Sequence, residues 1–265
     1  MSENKYPTLL LETPAEYVLK ITLNRPEAAN AFNTRMATDL YMLFEALAMD
    51  PGDIRCIVIT GSGERAFCAG GDLKERNGMT DEVWNKQHLT YERMVRAIID
   101  CPTPIIGAIN GAAFGGGVEL TAAVDFVYAA DHARFALTET SLGIIPGAGG
   151  TQTLARAMGE RRTKELILSA QRFDARQAHE WGLVNAVYSL EELLPAALKT
   201  AVRIAGNAPV AVKQAKQAIH RGLQMSLSDG LVFEIEAYNR TIPTSDRREG
   251  VLAFNEKRKP EFKGR

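Results

Sequence analysis

The chain is organised around Asn110-Gly111-Ala112-Ala113-Phe114-Gly115-Gly116-Gly117-Val118-Glu119-Leu120. A short apolar run, 104–109, precedes this stretch and indicates a buried strand, while 118–124 predicts an apolar helix after it. Three consecutive glycines at such a junction indicate a backbone that turns tightly and approaches another group closely. The first amides of a helix lack intrahelical acceptors and lie at the positive end of its dipole, so they can bind an anion or an oxyanion. The stretch taken alone is equally consistent with a purely structural turn, in which Glu119 is an ordinary acidic residue in the first turn of the helix.

The composition is typical of a globular protein of one large domain, or of a domain with an appended module. The 32 acidic and 31 basic residues nearly balance, so no overall field attracts nucleic acid or a membrane surface. No apolar run approaches the roughly 20 residues that span a bilayer, and the first residues lack a signal-peptide core. Cys56, Cys68 and Cys101 lack metal-ligand spacing and predict free thiols in a reducing compartment. We therefore expect a cytoplasmic protein without a metal site.

Strands and helices alternate in most of the chain, and helices alone follow. The hydrophobic patterns predict strands at 9–12, 17–23, 56–60, 104–109, 125–130, 134–137 and 183–187. They predict helices at 33–49, 81–100, 118–124, 152–158, 161–169, 175–181, 190–207, 210–221 and 226–241. This change from alternating strands and helices to helices alone predicts a soft boundary between two regions of the chain near residue 200.

Two further glycine-rich segments mimic nucleotide-binding loops, and we interpret both as turns. Gly61-Ser62-Gly63 follows a strand but does not open a helix, and Gly147-Ala148-Gly149-Gly150 lacks the Lys-Ser/Thr ending of a phosphate loop. Ala69-Gly70-Gly71 is a small-residue segment that a ligand could approach, and Lys74-Glu75-Arg76 after it leads into a predicted polar loop. His88 is interpreted as a packing or surface residue, because no second His or Cys stands at ligand spacing.

Six parts of the sequence form a recognisable series of motifs: Leu23-Asn24-Arg25-Pro26 with Asn30-Ala31, the run 66–73, the run 110–119, Glu139 with Leu142-Gly143, the run 145–152, and Ala253-Phe254-Asn255-Glu256-Lys257-Arg258. Together they resemble the crotonase family, the enoyl-CoA hydratases and isomerases. The resemblance keeps the order of the motifs and covers essentially the whole chain, and it is nearest to the enoyl-CoA hydratase and methylglutaconyl-CoA hydratase branch.

The resemblance implies an α/β fold, a spiral of ββα units with a C-terminal helical region that builds trimers, commonly stacked as hexamers. We accordingly divide the chain into a spiral core, 1–200, with the acyl-CoA site, and an assembly region, 201–265. The substrate implied is an acyl-CoA thioester, and no cofactor is expected because coenzyme A is carried by the substrate.

The resemblance also implies the site residues. The backbone amides of Cys68 and Gly116 correspond to the oxyanion hole, Glu119 to the base that activates water, and Glu139 to the proton donor for the α-carbon. A side chain at Gly116 is expected to crowd the thioester and to strain the backbone. We read the Cys68 thiol as a small packing group, because no His base accompanies it. The substrate-binding set implied is Ala66, Cys68, Ala69, Gly70, Gly71, Asp72, Leu73 and Gly116, with Phe254 and Lys257 near the nucleotide end of CoA bound by an adjacent subunit.

A structural interpretation fits the sequence nearly as well, in which Phe254 is a core aromatic residue and Lys257 is a solvated charge. We place Lys257 one helical turn beyond Phe254. The loop around 77–87 and the segment Thr140-Ser141 are expected to line the acyl pocket, whose chain-length preference the sequence does not fix.

Retention of both glutamates favours a hydratase over a Δ3-Δ2 enoyl-CoA isomerase, since family isomerases often lack the acid at the Glu119 position. Methylglutaconyl-CoA hydratase is a further alternative, supported by the run 72–76, Lys164-Glu165-Leu166-Ile167 and Thr241-Ile242-Pro243-Thr244. Because an RNA-binding protein of that type uses a lysine-rich helix, RNA binding is a non-enzymatic alternative. The corresponding helix here, 33–49, has no lysine, so we expect no nucleic-acid partner.

Overall fold

The computed structural model describes residues 5–265, which form two sheets and a set of surrounding helices. A six-stranded sheet has the order β1-β2-β3-β5-β7-β10, and a four-stranded sheet has the order β4-β6-β8-β9. The strands are β1 (Leu9–Ala15), β2 (Val18–Leu23), β3 (Cys56–Gly61), β4 (Ala66–Cys68), β5 (Ile105–Ile109), β6 (Ala112–Phe114), β7 (Phe126–Ala130), β8 (Arg134–Ala136), β9 (Arg172–Asp174) and β10 (Ala186–Tyr188).

Helices follow the strand pairs and make up most of the C-terminal quarter. They are α1 (Thr34–Met49), α2 (Leu73–Arg76), α3 (Asp81–Asp100), α4 (Gly116–Ala123), α5 (Gly150–Met158), α6 (Glu160–Ser169), α7 (Ala175–Glu180), α8 (Leu190–Ala205), α9 (Pro209–Gly222), α10 (Leu227–Asn239) and α11 (Ser245–Asn255). Short 3-10 turns lie at Pro26–Ala28 and Glu139–Leu142.

Consecutive strand pairs place one strand in each sheet, which makes the chain a spiral. β3 and β4, β5 and β6, and β7 and β8 each occupy the two sheets in turn, and helices follow the first two pairs directly. β3, β5 and β7 are parallel neighbours, with Ile57 opposite Ile105 and Ile106 opposite Phe126. This is the predicted spiral of ββα units.

The inner strands β3 and β5 of the six-stranded sheet are buried on both faces, as their continuous apolar runs predict, whereas the edge strand β1 is largely exposed. One face joins the main core with residues such as Ile57 and Ile59, while Val58 and Cys56 face α8. Helix α8 covers that second face with Leu193, Ala197, Ala201 and Ala205. Residue 200 lies inside this helix, so the proposed division into 1–200 and 201–265 cuts an element that packs on the sheet and stays a prediction.

Most predicted elements are confirmed within a few residues. The 11-residue helix α11 is not among the predicted helices, and the other differences involve short segments. The hydrophobic pattern predicts no helix at 73–76, but Asp72 accepts hydrogen bonds from the amides of Lys74 and Glu75 and so caps the four-residue helix α2. Strands β4, β6 and β9 have three residues each, which is too short for a period-two pattern. Lys257 does not continue α11, since that helix ends at Asn255 and Lys257 has a left-handed φ of 57°.

Candidate active site

The glycine-rich turn brings two backbone segments side by side. Strand β6 pairs in parallel with β4, which sets Cys68 opposite Ala113. Gly115 then caps α4 with φ 51° and ψ −120°, and Gly116 is the first helical residue. As the first residue of a helix, Gly116 has an amide without an intrahelical acceptor. The turn therefore presents a free helix-start amide next to the end of β4.

Each of the three glycines meets a different constraint. A Cβ on Gly117 would lie 2.1 Å from the carbonyl oxygen of Cys68, so only glycine lets these backbones approach. Gly115 has the left-handed φ, and a Cβ there would lie 3.0 Å from Oε1 of Glu139. Gly116 has no such φ, and its nearest neighbour would be the Phe32 ring at 3.4 Å. The expected backbone strain at Gly116 is thus wrong and belongs to Gly115.

Glu119 is held in place by the loop that precedes α5. Its side chain is 3% exposed, and its Oε1 accepts hydrogen bonds from the amides of Ala148 and Gly150, both at 2.8 Å. A Cβ on Gly150 would lie 2.8 Å from Cγ of Glu119, so this loop needs glycine to reach the carboxyl. The Gly147–Gly150 segment is the predicted turn into a helix, and its amides also fix a candidate catalytic side chain.

Glu139 begins the 3-10 turn Glu139–Leu142 and is 8% exposed. Its Oε1 faces Gly115. Its Oε2 is buried and has no hydrogen-bond partner within the described part of the chain. A buried polar oxygen without a partner is unfavourable unless a water or a ligand satisfies it. Glu139 is therefore available to a group in the cavity.

Burial raises the pKa of both carboxyls. The pKa of Glu119 is raised to about 7 by burial, against the opposing effect of the Gly150 and Ala148 amides and with a further rise from Glu139. Burial also raises the pKa of Glu139. Because two nearby carboxyls ionise together only at a cost, the proximity of Glu139 adds to the rise in the pKa of Glu119.

Both glutamates line one cavity of about 530 Å³ with mostly apolar walls. Of the predicted binding residues, Ala69, Gly71, Leu73 and Gly116 line it as well. Its other walls come mainly from α3 and from the segments after β8, through Trp84, Asn85, His88, Tyr91, Met94, Leu142, Ile144 and Ile145. This size and polarity suit the acyl part of a small-molecule substrate.

Other predicted residues lie outside the cavity wall. Ala66, Cys68 and Gly70 are buried in or next to β4, and Asp72 forms an ion pair with Arg25 at 2.9 Å. Thr140 Oγ1 donates to the carbonyl of Ile167 and Ser141 Oγ to that of Thr138. Neither residue lines the cavity, so the expectation that the Thr140-Ser141 segment lines the acyl pocket is wrong.

The Cys68 thiol is a neutral packing group. Burial raises its pKa to about 12, and its Sγ lies 3.4 Å from the Gly70 amide. A thiol with that pKa is not a nucleophile near neutral pH.

Several groups that hold or complete the site are not indicated by the sequence patterns. The amides of Ala148 and Gly150 and the side chain of Arg76 are the main ones. Arg76 lies 4.4 Å from the Trp84 ring centroid and 5.0 Å from that of Tyr91. For the Ala148 and Gly150 amides, the spacing of the glycines before α5 was the only signal in the sequence.

Comparison with known proteins decides the family. The enoyl-CoA hydratase/isomerase family model matches residues 13–265. The chain belongs to the enoyl-CoA hydratase/isomerase family. The relatives of this family that it resembles include the Bacillus subtilis protein YngF, 45% identical over 97% of this chain and 98% of that protein. A short-chain-enoyl-CoA hydratase of Clostridium acetobutylicum is 39% identical over 94% of this chain and 95% of that protein.

The fold of the family is confirmed by a solved structure. A Bacillus anthracis enoyl-CoA hydratase superposes with a TM-score of 0.95 at 43% identity, covering 97% of this chain and all of that one. The chain is accordingly an enzyme of the enoyl-CoA hydratase/isomerase family with the crotonase fold. None of the helices within residues 5–265 is long and apolar enough to cross a membrane.

The two residues that the family resemblance assigns to CoA lie at the C-terminal end of the chain. Phe254 is 84% exposed in α11, and Lys257 follows that helix in an exposed turn. Phe254 is therefore not a core aromatic residue of the single chain. Neither residue lines the cavity within this chain.

Proposed function

We propose that the protein is an enoyl-CoA hydratase that adds water reversibly across the 2,3 double bond of a 2-enoyl-CoA. The observation that carries the proposal is the pair of buried carboxyls, Glu119 and Glu139, on one cavity beside the start of α4. Hydration needs a base for the water and an acid for the α-carbon, and two carboxyls that share a proton can supply both. Family membership and the relatives named as hydratases support the same reaction class.

In this mechanism the thioester oxygen lies between the amides of Cys68 and Gly116. Water attacks C3 and gives a proton to Glu119, and the electrons of the double bond move to the thioester oxygen as an enolate. Glu139 then protonates C2, which restores the thioester. The two amides stabilise the enolate without rearrangement, and in other enzymes one such donor contributes about 2.7–4 kcal/mol.

The hydrogen bonds at each carboxyl support this division of roles. Two amides donate to Oε1 of Glu119, which favours its ionised form and leaves Oε2 for the water. Oε2 of Glu139 has no partner among residues 5–265, so a protonated oxygen there is free to face the substrate. Because the pKa of Glu119 is about 7, the base form gains population as the pH rises through neutrality.

Crotonyl-CoA tests the proposal. We expect loss of the enoyl absorbance and, in water enriched in oxygen-18, a labelled hydroxyl at C3 of the product. A Δ3-Δ2 isomerase would instead convert 3-hexenoyl-CoA to 2-hexenoyl-CoA without incorporating label. Isomerisation without any hydration of crotonyl-CoA would contradict the proposal and favour the isomerase.

We also infer that the enzyme is a homotrimer or homohexamer whose CoA site is completed across an interface. Exposed apolar side chains concentrate in the C-terminal helices, which is unfavourable for a monomer. They include Val202, Ile219, Leu223, Leu227, Leu231, Val232, Ile235 and Phe254. In such an assembly, Lys257 would lie beside a CoA phosphate of the neighbouring subunit.

A further inference from the structure

The loop that precedes α5 holds Glu119, but few backbone hydrogen bonds hold the loop itself. The amides of Ala148 and Gly150 both donate to the Glu119 carboxyl. Within residues 5–265, no other amide between positions 145 and 149 donates to an acceptor, and this segment belongs to no helix or strand. The position of the two donors therefore depends on the side chains that pack against the loop.

Helix α3 packs against the 147–150 loop at two points. An added Cβ on Gly147 would lie 2.3 Å from Cε1 and 2.8 Å from Nε2 of His88, so the imidazole fills the space that a side chain there would occupy. An added Cβ on Gly149 would lie 3.6 Å from Cγ1 of Val95, which is an ordinary packing distance. Residues seven apart lie on one face of a helix, so this face of α3 contacts the loop on both sides of Ala148.

The part of α3 that carries His88 is itself fixed in place. Its neighbour Gln87 is 3% exposed and forms hydrogen bonds with side chains of α1 and α2. Tyr91, one turn further on, donates its hydroxyl to the carbonyl of Phe32. His88 is half-buried in the wall of the cavity between these two anchors. The imidazole therefore contacts the loop from a rigid support.

We propose that His88 is a positioning residue for the hydration reaction: its ring, together with Val95, holds the 147–150 loop in place, and the loop in turn holds the carboxyl of Glu119. The inference rests on the proposed hydratase function, in which Glu119 takes the proton of the attacking water. Misplacing a reacting group by about 1 Å can cost about 100-fold in rate. A loop that is held by packing alone makes the base sensitive to the loss of one ring.

Paired substitutions at the contact test this role. His88→Ala removes the ring, and Gly147→Ala introduces the methyl group that the ring excludes. Gly147 does not have a left-handed φ, so its backbone accepts alanine. The double variant places the methyl group in the space that the ring has left. Asn85→Ala is the matched control, because Asn85 lines the same cavity from α3 at an exposed position. If His88→Ala folds poorly, His88→Ser replaces it in every comparison.

Turnover of crotonyl-CoA and the dissociation constant of butyryl-CoA, a saturated analogue, are measured for each variant. We expect each single variant to lose about tenfold or more in kcat while the dissociation constant changes less than about threefold, and the double variant to regain at least about threefold. Asn85→Ala should change kcat less than about twofold and should not restore Gly147→Ala. An unchanged kcat in His88→Ala would overturn the proposal. A loss that Gly147→Ala does not restore, or a dissociation constant that rises as much as kcat falls, would also overturn it, because the imidazole would then act on the substrate.

The pKa of Glu119 gives a second readout, which needs no turnover. Burial raises this pKa, the two loop amides oppose the rise, and Glu139 and Arg76 are the other charged groups that affect it. Loosening the loop should therefore raise the pKa further. Stability from this proton is lost as the pH rises through the folded pKa, and a higher pKa leaves more of the interval from about pH 5.5 to about pH 8.5 below it.

The unfolding free energy of Glu119→Gln minus that of its parent should accordingly rise more across this interval in the His88→Ala background than in the wild-type background. Equal rises in the two backgrounds would overturn the role of His88. Hydration of crotonyl-CoA by the wild-type enzyme is measured beside it. If hydration fails while the rise is larger without His88, the error lies in the reaction and not in the support of the loop.

Discussion

Replacing Glu119 with Gln should make the protein more stable at alkaline pH and less sensitive to pH. The Glu119 side chain is 3% exposed, and burial raises its pKa from an ordinary 4.5 to about 7. Since the folded state binds this proton more tightly than the unfolded state, the stability it contributes is present below about pH 4.5 and is lost as the pH rises through about 7. At 1.36 kcal/mol per pKa unit, a rise of roughly 2.5 units corresponds to about 3 kcal/mol. A glutamine oxygen can still accept from Ala148 and Gly150 without titrating.

The assay is urea unfolding of the wild-type enzyme and Glu119→Gln at equal protein concentration. Between about pH 5.5 and about pH 8.5, the unfolding free energy of the variant minus that of the wild type should rise by about 2 kcal/mol, because roughly 1.5 pH units of that interval lie below the folded pKa. Glu45→Gln, which changes an exposed carboxyl on α1, is the control and should show no such rise. A difference that stays constant with pH would refute a raised pKa at Glu119.

Four further substitutions test the backbone site and the assembly. Cys68→Ala should keep most hydration activity because the amide remains, and complete inactivation with an intact fold would point to thiol chemistry. Gly117→Ala should lose about 1–3 kcal/mol of stability and most activity, because its Cβ would lie 2.1 Å from the Cys68 carbonyl oxygen. Gly116→Ala should fold normally. Equal unfolding curves for the two variants would argue against this geometry. Light scattering should give a mass of three or six chains, and an active monomer would contradict the shared CoA site. Lys257→Ala should raise the KM for acyl-CoA more than the KM for a substrate truncated before the 3′-phosphate. Equal changes in the two KM values would also contradict the shared site.

Local patterns were sufficient to predict the long elements. Helix α3 begins and ends at the predicted residues, and α1 begins one residue after the predicted start, where the Asn33 side chain accepts a hydrogen bond from the Met36 amide at 2.9 Å. Strand β3 is buried throughout, as its continuous apolar run predicts. These features depend on neighbours within one or two turns, so the sequence carries them directly.

The contacts that complete the site were not predictable in this way. Glu119 reaches amides 29 and 31 residues along the chain, and Arg76 lies against rings of the following helix. Such contacts depend on how the spiral stacks its turns, which no local pattern reports. The roles of Glu119 and Glu139 follow from the family resemblance, and the helix that ends at Arg76 has only four residues, which is too short to show a periodic pattern.

The hydration rate of the two glutamate variants tests the central proposal most directly. Turnover of crotonyl-CoA is measured for the wild type, Glu119→Gln and Glu139→Gln, with binding of a saturated acyl-CoA as the control for an intact pocket. Each variant should lose about 10²–10⁴-fold in kcat while its affinity for the analogue changes little, because general acid–base groups contribute on that scale. Near-wild-type turnover in either variant would remove that carboxyl from the reaction and contradict a two-glutamate hydratase.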